Sequence, residues 1–140
     1  MISKYKTKHL KAVTEVFSVL NNRLFCNCTE SDVIWMAKNK HIWVYKNKNS
    51  IIGAACIEIH KKTKEIDIEA LAVSKNKQRR GVGSKMLRAI ENYAKRLGIK
   101  TITLGSHKIY RAKKFYIKNG YSLVGVDQSR NYIFNKALHN

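Results

Sequence analysis

The sequence predicts an α/β protein whose mixed sheet is flanked by helices. Two helical segments and a pair of strands occupy the first half of the chain, and strands and helices alternate in the second half. This order of elements is typical of a sheet whose faces are covered by helices. The 140 residues suit one hydrophobic core, and no proline or Gly/Ser-rich linker marks a boundary. We therefore expect a single domain over residues 1–140.

The first half of the chain is predicted from periodicity and from one helix cap. Apolar residues from Lys8 to Leu20 recur at the spacing of an amphipathic helix. Thr29 followed by Asp32 resembles the N-terminal cap of a second helix. The predicted elements are a strand at 2–7, a helix at 8–20, a helix from Thr29 to Ala37, and strands at 41–46 and 50–59.

The second half of the chain alternates between strands and helices. The apolar side chains of residues 66–73 recur at the period of a strand. From Val82 to Leu97 the apolar residues follow helical spacing, and Gly98 is well placed to end that helix. The predicted elements are strands at 66–73, 101–105, 121–126 and 130–138, with helices at 81–97 and 110–118.

Charge is the unusual feature of the composition. The chain has 28 Lys plus Arg against 9 Asp plus Glu, a formal net charge of +19. Such a field attracts polyanions, among them nucleic acid and phosphorylated cofactors. The basic residues are scattered from Lys4 to Lys136 rather than gathered in one block, which favours solubilising lysines over a dedicated nucleic-acid surface. Nucleic acid is therefore a partner that the sequence permits but does not favour.

Three cysteines and the amino-terminal segment bear on the cellular compartment. Cys26, Cys28 and Cys56 supply neither a disulfide framework nor the ligands of a structural zinc site. Their expected state is a free thiol in a reducing cytoplasm. The basic start is followed by apolar residues, but Lys11 and Glu15 interrupt them and no cleavage site follows. We expect a cytoplasmic protein without a membrane partner.

The segment QRRGVGSKM, residues 78–86, carries the strongest chemical signal. It follows the strand that ends at Val73 and opens the helix that is predicted to begin at Gly81. Glycines let backbone N–H groups close around phosphate oxygens, and the helix dipole and two arginines add positive charge there. The segment lacks the third glycine of a dinucleotide fingerprint and the G-K-[ST] of a P-loop. The pattern thus predicts a diphosphate site of another kind.

Q-x-x-G-x-G after a strand resembles the acetyl-CoA signature of the GNAT superfamily of N-acetyltransferases. A second motif of that family, A-x-x-F-Y-x-x-x-G-[FY], resembles the later segment from Ala112 to Tyr121. The two motifs stand in the family's order and spacing, and the matched segments cover roughly residues 50 to 126. The resemblance implies the family's fold, in which a central, mostly antiparallel sheet is flanked by helices.

The resemblance also implies acetyl transfer from the co-substrate acetyl-CoA to a primary amine, by direct attack on the thioester. It assigns Tyr116, in the second motif, as the general acid for the leaving thiolate. It assigns Glu69 or Asp67 as the general base, with Glu69 favoured, and His107 is an outside candidate. The residues assigned to the cofactor are the strand segment Leu71, Ala72 and Val73 and the loop residues Gln78, Arg79, Arg80, Gly81, Val82, Gly83 and Ser84.

The acceptor and the assembly are left open by the sequence. The amine could belong to a small molecule or to a protein, and no readable code occurs in residues 8–40 or 126–135, where the family builds its acceptor site. No metal is expected, and the chain could be a monomer or a homodimer. The alternative function is a catalytically weak acyl-CoA-binding or nucleic-acid-associated module on the same fold.

Overall fold

The computed structural model describes residues 1–139, and its elements follow the predicted order. Asn140, the last residue of the predicted domain, lies outside the described residues. The strands are β1 (Ile2–Lys4), β2 (His41–Asn47), β3 (Ser50–His60), β4 (Glu65–Val73), β5 (Thr101–His107), β6 (Ser122–Val126) and β7 (Asn131–Ala137). The α-helices are α1 (Leu10–Phe17), α2 (Glu30–Asn39), α3 (Val82–Arg96) and α4 (Lys113–Lys118). None of the helices within residues 1–139 is long and apolar enough to cross a membrane.

The strands form one sheet in the order β1-β2-β3-β4-β5-β7-β6. The pairs β1–β2, β2–β3, β5–β7 and β6–β7 are antiparallel, while β4 and β5 are parallel, with Asp67 opposite Thr103. The two parallel strands are separated in sequence by α3, because parallel neighbours need a crossover connection. The mostly antiparallel sheet flanked by helices confirms the predicted fold class.

The chain forms two compact units, each with buried apolar residues of its own. The first unit comprises Met1–Ile57 and Ala70–Ala89, and the second comprises Glu58–Glu69 and the chain from Ile90 onward. The core of the first unit consists of Val13, Val16, Phe17, Val33, Ile42, Val44, Ala54, Cys56 and Ala72. Buried residues of the second unit include Ile66, Ile68, Ile102, Leu104, Tyr116, Tyr121 and Phe134. Removal of this apolar surface from water is the main favourable contribution to folding.

The start of α2 is fixed by the cap that the sequence predicts. Thr29 Oγ1 accepts a hydrogen bond of 3.3 Å from the backbone N–H of Asp32. In return, Asp32 Oδ2 accepts a 2.8 Å bond from the Thr29 N–H, which completes a capping box. The hydrogen bonds from Thr29 lower the pKa of the Asp32 carboxyl, because they favour its charged form. The predicted helix is confirmed, and it extends to Asn39.

Helices α3 and α4 end close to glycines, as predicted, but α4 begins later than expected. Gly98 and Gly120 have φ angles of 77° and 90°, a left-handed conformation that glycine adopts without a steric penalty. The predicted start of α4 at Tyr110 is wrong, because the helix begins at Lys113. A 3₁₀ turn ends at Tyr110, and Arg111 follows with a left-handed φ of 53°, which interrupts the helix at this point.

A buried carboxylate on α3, Glu91, organises polar contacts within the second unit. The residue is 8% exposed. Its Oε2 accepts a 2.9 Å hydrogen bond from the Tyr121 hydroxyl, and its Oε1 accepts a 3.0 Å bond from Lys136 Nζ. Lys136 also donates to the carbonyl of Asn119, just after α4, at 2.9 Å. The lysine therefore links α3, the end of α4 and β7. Its ammonium group also forms an ion pair with the Glu91 carboxylate, whose burial without a partner would be costly.

Replacement of Lys136 by methionine should lower the free energy of unfolding by about 1–3 kcal/mol, because Glu91 would keep a largely buried charge without its cationic partner. Urea unfolding followed by circular dichroism measures the change. Lys114→Met, at an exposed position on α4, is the matched control and should stay within about 0.5 kcal/mol of the parent protein. Equal unfolding curves for the two variants would contradict the structural role of Lys136.

Candidate functional site

The predicted phosphate segment lies in the first unit, between β4 and α3. After Val73 the chain makes a 3₁₀ turn over Lys75–Lys77 before it enters α3. The Ser74 N–H donates to the Ile52 carbonyl of β3 at 2.8 Å, which holds the start of the segment against the sheet. Gln78 Nε2 donates to the Val73 carbonyl at 3.0 Å. The Gln78 side chain therefore closes the loop onto the end of β4.

The backbone of this loop passes through two left-handed residues. Arg79 and Gly81 have φ angles of 64° and 81°. A Cβ added at Gly81 would meet no heavy atom within 4 Å, so glycine is suited to this position by its conformation and not by close packing. For Arg79 the same conformation costs about 1–2 kcal/mol. Left-handed residues in a turn bring successive N–H groups to one side of the chain, which creates an anion-binding concavity.

Positive charge and amide hydrogens meet at the start of α3. A helical hydrogen bond joins the Lys85 N–H to the Gly81 carbonyl at 3.0 Å. The amide hydrogens of the first turn, up to Ser84, have no acceptor within the helix, and they form the positive end of the helix dipole. Arg79 and Arg80 are exposed in the adjoining loop. An anion would therefore find both hydrogen-bond donors and positive charge at this end of α3.

All the residues predicted to bind the cofactor lie in the first unit. They are Leu71–Val73 at the end of β4, and residues 78–84 in the loop and the first turn of α3. Ala72 is buried in the core of the unit, whereas Leu71 and Val73 are half-buried. The structure thus brings the predicted set together on one continuous strand, loop and helix.

A polar cluster in the second unit joins the predicted base Asp67 to a histidine. His60 Nε2 lies 2.9 Å from Asp67 Oδ2 and 4.0 Å from Glu58 Oε2. The other oxygen of Asp67, Oδ1, accepts a short hydrogen bond from the hydroxyl of Thr103 on β5. The side chains of His60 and Asp67 are each 39% exposed, so solvent reaches the cluster. The cluster combines one imidazole with two carboxylates.

Glu58, His60 and Asp67 also have the side-chain types that bind metal ions. In the described part of the chain, these three side chains form a group in which one ligand atom from each residue lies within 4.8 Å of the others. The direct hydrogen bond between His60 Nε2 and Asp67 Oδ2 pairs these two atoms without an ion. The expectation of no metal stays a prediction.

The remaining candidates for the base have different surroundings. Glu69 is exposed, two residues beyond Asp67 on β4. His107 lies at the end of β5, and its Nδ1 accepts a 3.1 Å hydrogen bond from the Ile109 N–H. This bond uses His107 Nδ1 to cap the 3₁₀ turn over Lys108–Tyr110. The roles of Asp67, Glu69 and His107 in proton transfer stay predictions.

Tyr116 packs within an aromatic cluster of the second unit. Its ring centroid lies 5.0 Å from that of Phe115, 6.0 Å from that of Tyr121 and 5.2 Å from that of Phe134. The residue is 7% exposed, and burial raises the pKa of its hydroxyl to about 12. The phenol is therefore protonated at neutral pH, as a proton donor must be. Because packing also accounts for a tyrosine here, the general-acid role stays a prediction.

Sequence reasoning missed His60 and Thr103. A signal for His60 exists in the strand pattern, because Glu58 and His60 lie two residues apart and so share one face of β3. Thr103 offers no comparable signal. It is 36 residues from Asp67 in sequence, and only the parallel pairing of β4 with β5 puts the two residues opposite each other.

Comparison with models of known protein families identifies one family to which the chain is similar. A family model described as the acetyltransferase (GNAT) domain matches residues 38–123, which is more than half of the chain. The matched region includes the phosphate segment and the segment around Tyr116. Acetyl-CoA is the co-substrate of that family. A comparison with curated protein sequences gives no significant match.

Solved structures with the same fold cover nearly the whole chain. The PaiA N-acetyltransferase of Thermoplasma acidophilum, in complex with coenzyme A, has a TM-score of 0.85 at 16% identity over 98% of each chain. A GNAT-family acetyltransferase of Staphylococcus aureus Mu50 has a TM-score of 0.83 at 19% identity over 99% of each chain. The ribosomal-protein-S18-alanine N-acetyltransferase of Escherichia coli has a TM-score of 0.80 at 16% identity, over 100% of this chain and 94% of its own. At these identities the likeness shows the fold alone.

The raised pKa of Tyr116 predicts a loss of stability at alkaline pH. In the unfolded chain tyrosine ionises near pH 10, whereas the folded protein holds the pKa of Tyr116 at about 12. The stabilisation is complete below about pH 10 and is lost as the pH rises from there through about pH 12. Urea unfolding between about pH 9 and about pH 11 should show this decline, and Tyr116→Phe should remove part of it.

The control for this measurement is Tyr132→Phe, a tyrosine that is half-buried on β7. This variant should keep the slope of the parent protein. An unchanged slope in Tyr116→Phe would mean that the Tyr116 hydroxyl ionises as freely in the folded protein as in the unfolded chain.

Proposed function

Because the chain belongs to the acetyltransferase (GNAT) domain family, we propose that it is an acetyl-CoA-dependent N-acetyltransferase that acts on a primary amine. The observation that carries the proposal is the loop before α3, where left-handed backbone at Arg79 and Gly81 leads into the amide hydrogens of a helix N-terminus. This arrangement suits the diphosphate of a coenzyme A ester. The structure of PaiA, which has the same fold, was solved with coenzyme A, and this supports the same class of ligand here.

We assign the diphosphate of the cofactor to residues 78–84. Backbone N–H groups from Gly81 to Ser84 would donate to phosphate oxygens, and Arg79 and Arg80 would neutralise the charge. A hydrogen bond to a charged group contributes about 1.5–3 kcal/mol. Several such bonds would more than offset the cost of a left-handed arginine, about 1–2 kcal/mol. Gln78 would keep the loop closed on β4 through its bond to the Val73 carbonyl.

The end of β4 would hold the reactive part of the cofactor. By the family resemblance, Leu71–Val73 present backbone groups to the pantetheine arm as a neighbouring strand would. One backbone N–H of this segment would donate to the acetyl oxygen. Removal of one donor to a developing oxyanion costs about 10²–10³-fold in rate in other acyl-transfer enzymes, so this single contact would matter.

The reaction that we propose is direct transfer. The neutral amine attacks the thioester carbonyl, the C–N bond forms and the C–S bond breaks, and coenzyme A leaves as the thiolate. Tyr116, whose pKa of about 12 keeps the phenol protonated, would donate a hydrogen bond to the sulfur as its negative charge develops. Glu69 or Asp67 on β4 would assist removal of the amine proton.

The acceptor that we propose is a primary amine on a small molecule or a protein. The fold does not choose between these classes, and the Escherichia coli protein with the same fold is named for the alanine of a ribosomal protein. The net charge of +19 disfavours polycationic acceptors at long range. The carboxylates of Asp67 and Glu69 would still attract a single ammonium group.

Gly81→Asp should weaken the binding of acetyl-CoA at least tenfold, because a carboxylate near the diphosphate adds repulsion of about 1.4 kcal/mol or more. Isothermal titration calorimetry at low salt measures the affinity. Gly98→Asp is the matched control, because Gly98 has a similar φ of 77° and also has nothing within 4 Å of an added Cβ. Both variants should lose some stability, but Gly98→Asp should keep the affinity of the parent protein. Equal affinities of the two variants for acetyl-CoA would show that the loop does not contribute to the cofactor site.

Acetyl transfer is tested by release of free thiol from acetyl-CoA with ethylamine, tyramine or an octapeptide that has a free amino terminus. We expect at least one of these amines to raise thiol release well above the rate of hydrolysis. Tyr116→Phe should lower that amine-dependent rate by about 10²-fold while the affinity for acetyl-CoA is kept. Binding of acetyl-CoA without amine-dependent thiol release would overturn the proposed acetyltransferase activity. It would favour a catalytically weak acyl-CoA-binding module.

A further inference from the structure

We propose that Glu58, His60 and Asp67 form a binding site for a zinc ion. The site lies wholly within the second unit, which contains residues 58–69. It does not rest on the proposed acetyl transfer, for which the ion is not a cofactor. Its ligands come from two neighbouring strands, with Glu58 and His60 on β3 and Asp67 on β4. A bound ion would therefore join these two strands through their side chains.

Strand geometry brings the three side chains together. Glu58 and His60 are two residues apart on β3, so their side chains leave the same face of the sheet. From β4, the Oδ2 atom of Asp67 comes within 2.9 Å of His60 Nε2. One ligand atom from each of the three residues lies within 4.8 Å of the others. Two carboxylates this close repel each other, and a divalent cation between them removes that repulsion.

The distances in the cluster are close to those of a tetrahedral zinc site. Zinc binds imidazole nitrogen at about 2.0–2.1 Å and carboxylate oxygen at about 2.0–2.2 Å, so its ligand atoms lie about 3.4 Å from one another. His60 Nε2 lies 2.9 Å from Asp67 Oδ2 and 4.0 Å from Glu58 Oε2. Binding would lengthen the first distance and shorten the second by about 0.5–0.6 Å. Small rotations of the side chains achieve such changes while the backbone of both strands stays in place.

Zinc would replace the hydrogen that lies between His60 and Asp67. An ionised carboxylate only accepts hydrogen bonds, so Nε2 of the neutral ring carries the hydrogen in this contact. When Nε2 binds zinc, the ring hydrogen lies on Nδ1, and because the side chain is 39% exposed this N–H can donate to water. Asp67 Oδ1 would still accept from the Thr103 hydroxyl. That bond orients the carboxylate while its other oxygen binds the ion.

The ligand types select the ion. One imidazole and two carboxylates suit zinc, whereas Mg²⁺ and Ca²⁺ prefer sites made of oxygen atoms alone. The side chains of Glu58, His60 and Asp67 are 38%, 39% and 39% exposed, so an ion can enter from solvent and water can fill the fourth position. The net charge of +19 opposes the approach of a cation at long range. The affinity must therefore come from direct contacts within the cluster.

Calorimetry with zinc chloride tests the site directly. The protein should carry Cys26→Ser and Cys28→Ser and no histidine tag, because these partly exposed thiols could also bind zinc. We expect one ion per chain with a Kd of about 10 μM or lower. His60→Gln should weaken binding by about 100-fold or more, because it removes the nitrogen ligand. His41→Gln, at an exposed histidine on β2, is the matched control and should keep the parent affinity.

The other members of the cluster give further variants. Glu58→Gln and Asp67→Asn should each weaken zinc binding by about tenfold or more, and Thr103→Val by about tenfold or less. Circular dichroism without zinc identifies any variant that has lost its fold, and the remaining ligand variants then decide. Absence of saturable zinc binding would overturn the proposal, as would equal affinities of the parent protein and His60→Gln. Equal binding of magnesium would overturn the assignment of zinc.

Nuclear magnetic resonance of the imidazole side chains locates the ion. The chain has five histidines. Zinc should shift the ring signals of His60 and leave those of His41 and His107 in place. The Nδ1 atom of His107 already accepts a hydrogen bond from the backbone N–H of Ile109. Shifts confined to other histidines would show that only adventitious ions bind, and they would overturn the proposal.

Thermal unfolding gives an independent measurement. A ligand that binds only the folded chain stabilises it, so zinc at about 100 times its Kd should raise the melting temperature of the parent protein by about 5 °C or more. Zinc at the same concentration should leave the melting temperature of His60→Gln nearly unchanged. An equal rise in the two proteins would place the bound ion outside the cluster and contradict the proposal.

Discussion

Left-handed backbone between β4 and α3 is the constraint on which the candidate site depends. Arg79 and Gly81 both hold positive φ angles where the chain leaves the sheet and enters the helix. Gln78 stabilises this path from the sheet side through the carbonyl of Val73. If the segment relaxed to ordinary backbone angles, the path of the chain into the first turn of α3 would change. The diphosphate binding that we propose, and with it the proposed placement of an acetyl group along β4, would then lose its physical basis.

The charges that the two proposed sites require have opposite signs and belong to different units of the chain. Arg79 and Arg80 belong to the first unit, and Glu58 and Asp67 belong to the second. In a chain with a net charge of +19, a cluster that combines two carboxylates with His60 is a local exception. The overall field would attract a polyanionic cofactor, while the cluster would bind a divalent cation. In this proposal, long-range attraction and local recognition would use different residues.

Features that depend on neighbouring residues could be predicted from the sequence, and features that depend on sheet pairing could not. The cap at Thr29 and the helix end at Gly98 are set within one turn of chain, and both are confirmed. The candidate phosphate loop could be proposed from the sequence for the same reason, because residues 78–84 are contiguous. The late start of α4 was missed, since nothing in composition marks Arg111 as left-handed. The contacts of Asp67 with His60 and Thr103 span 7 and 36 residues, and they exist only because β4 lies between β3 and β5.

Arginine at position 79 occupies a conformation that glycine or asparagine adopts more readily. Either replacement would relieve backbone strain and raise the melting temperature. It would also remove a positive charge near the N-terminus of α3. If Arg79 binds the cofactor as we propose, selection for thermal stability and selection for cofactor binding favour different residues at this position. In proteins of this family from organisms that live at high temperature, we expect glycine or asparagine at this position only where another basic side chain supplies the missing positive charge.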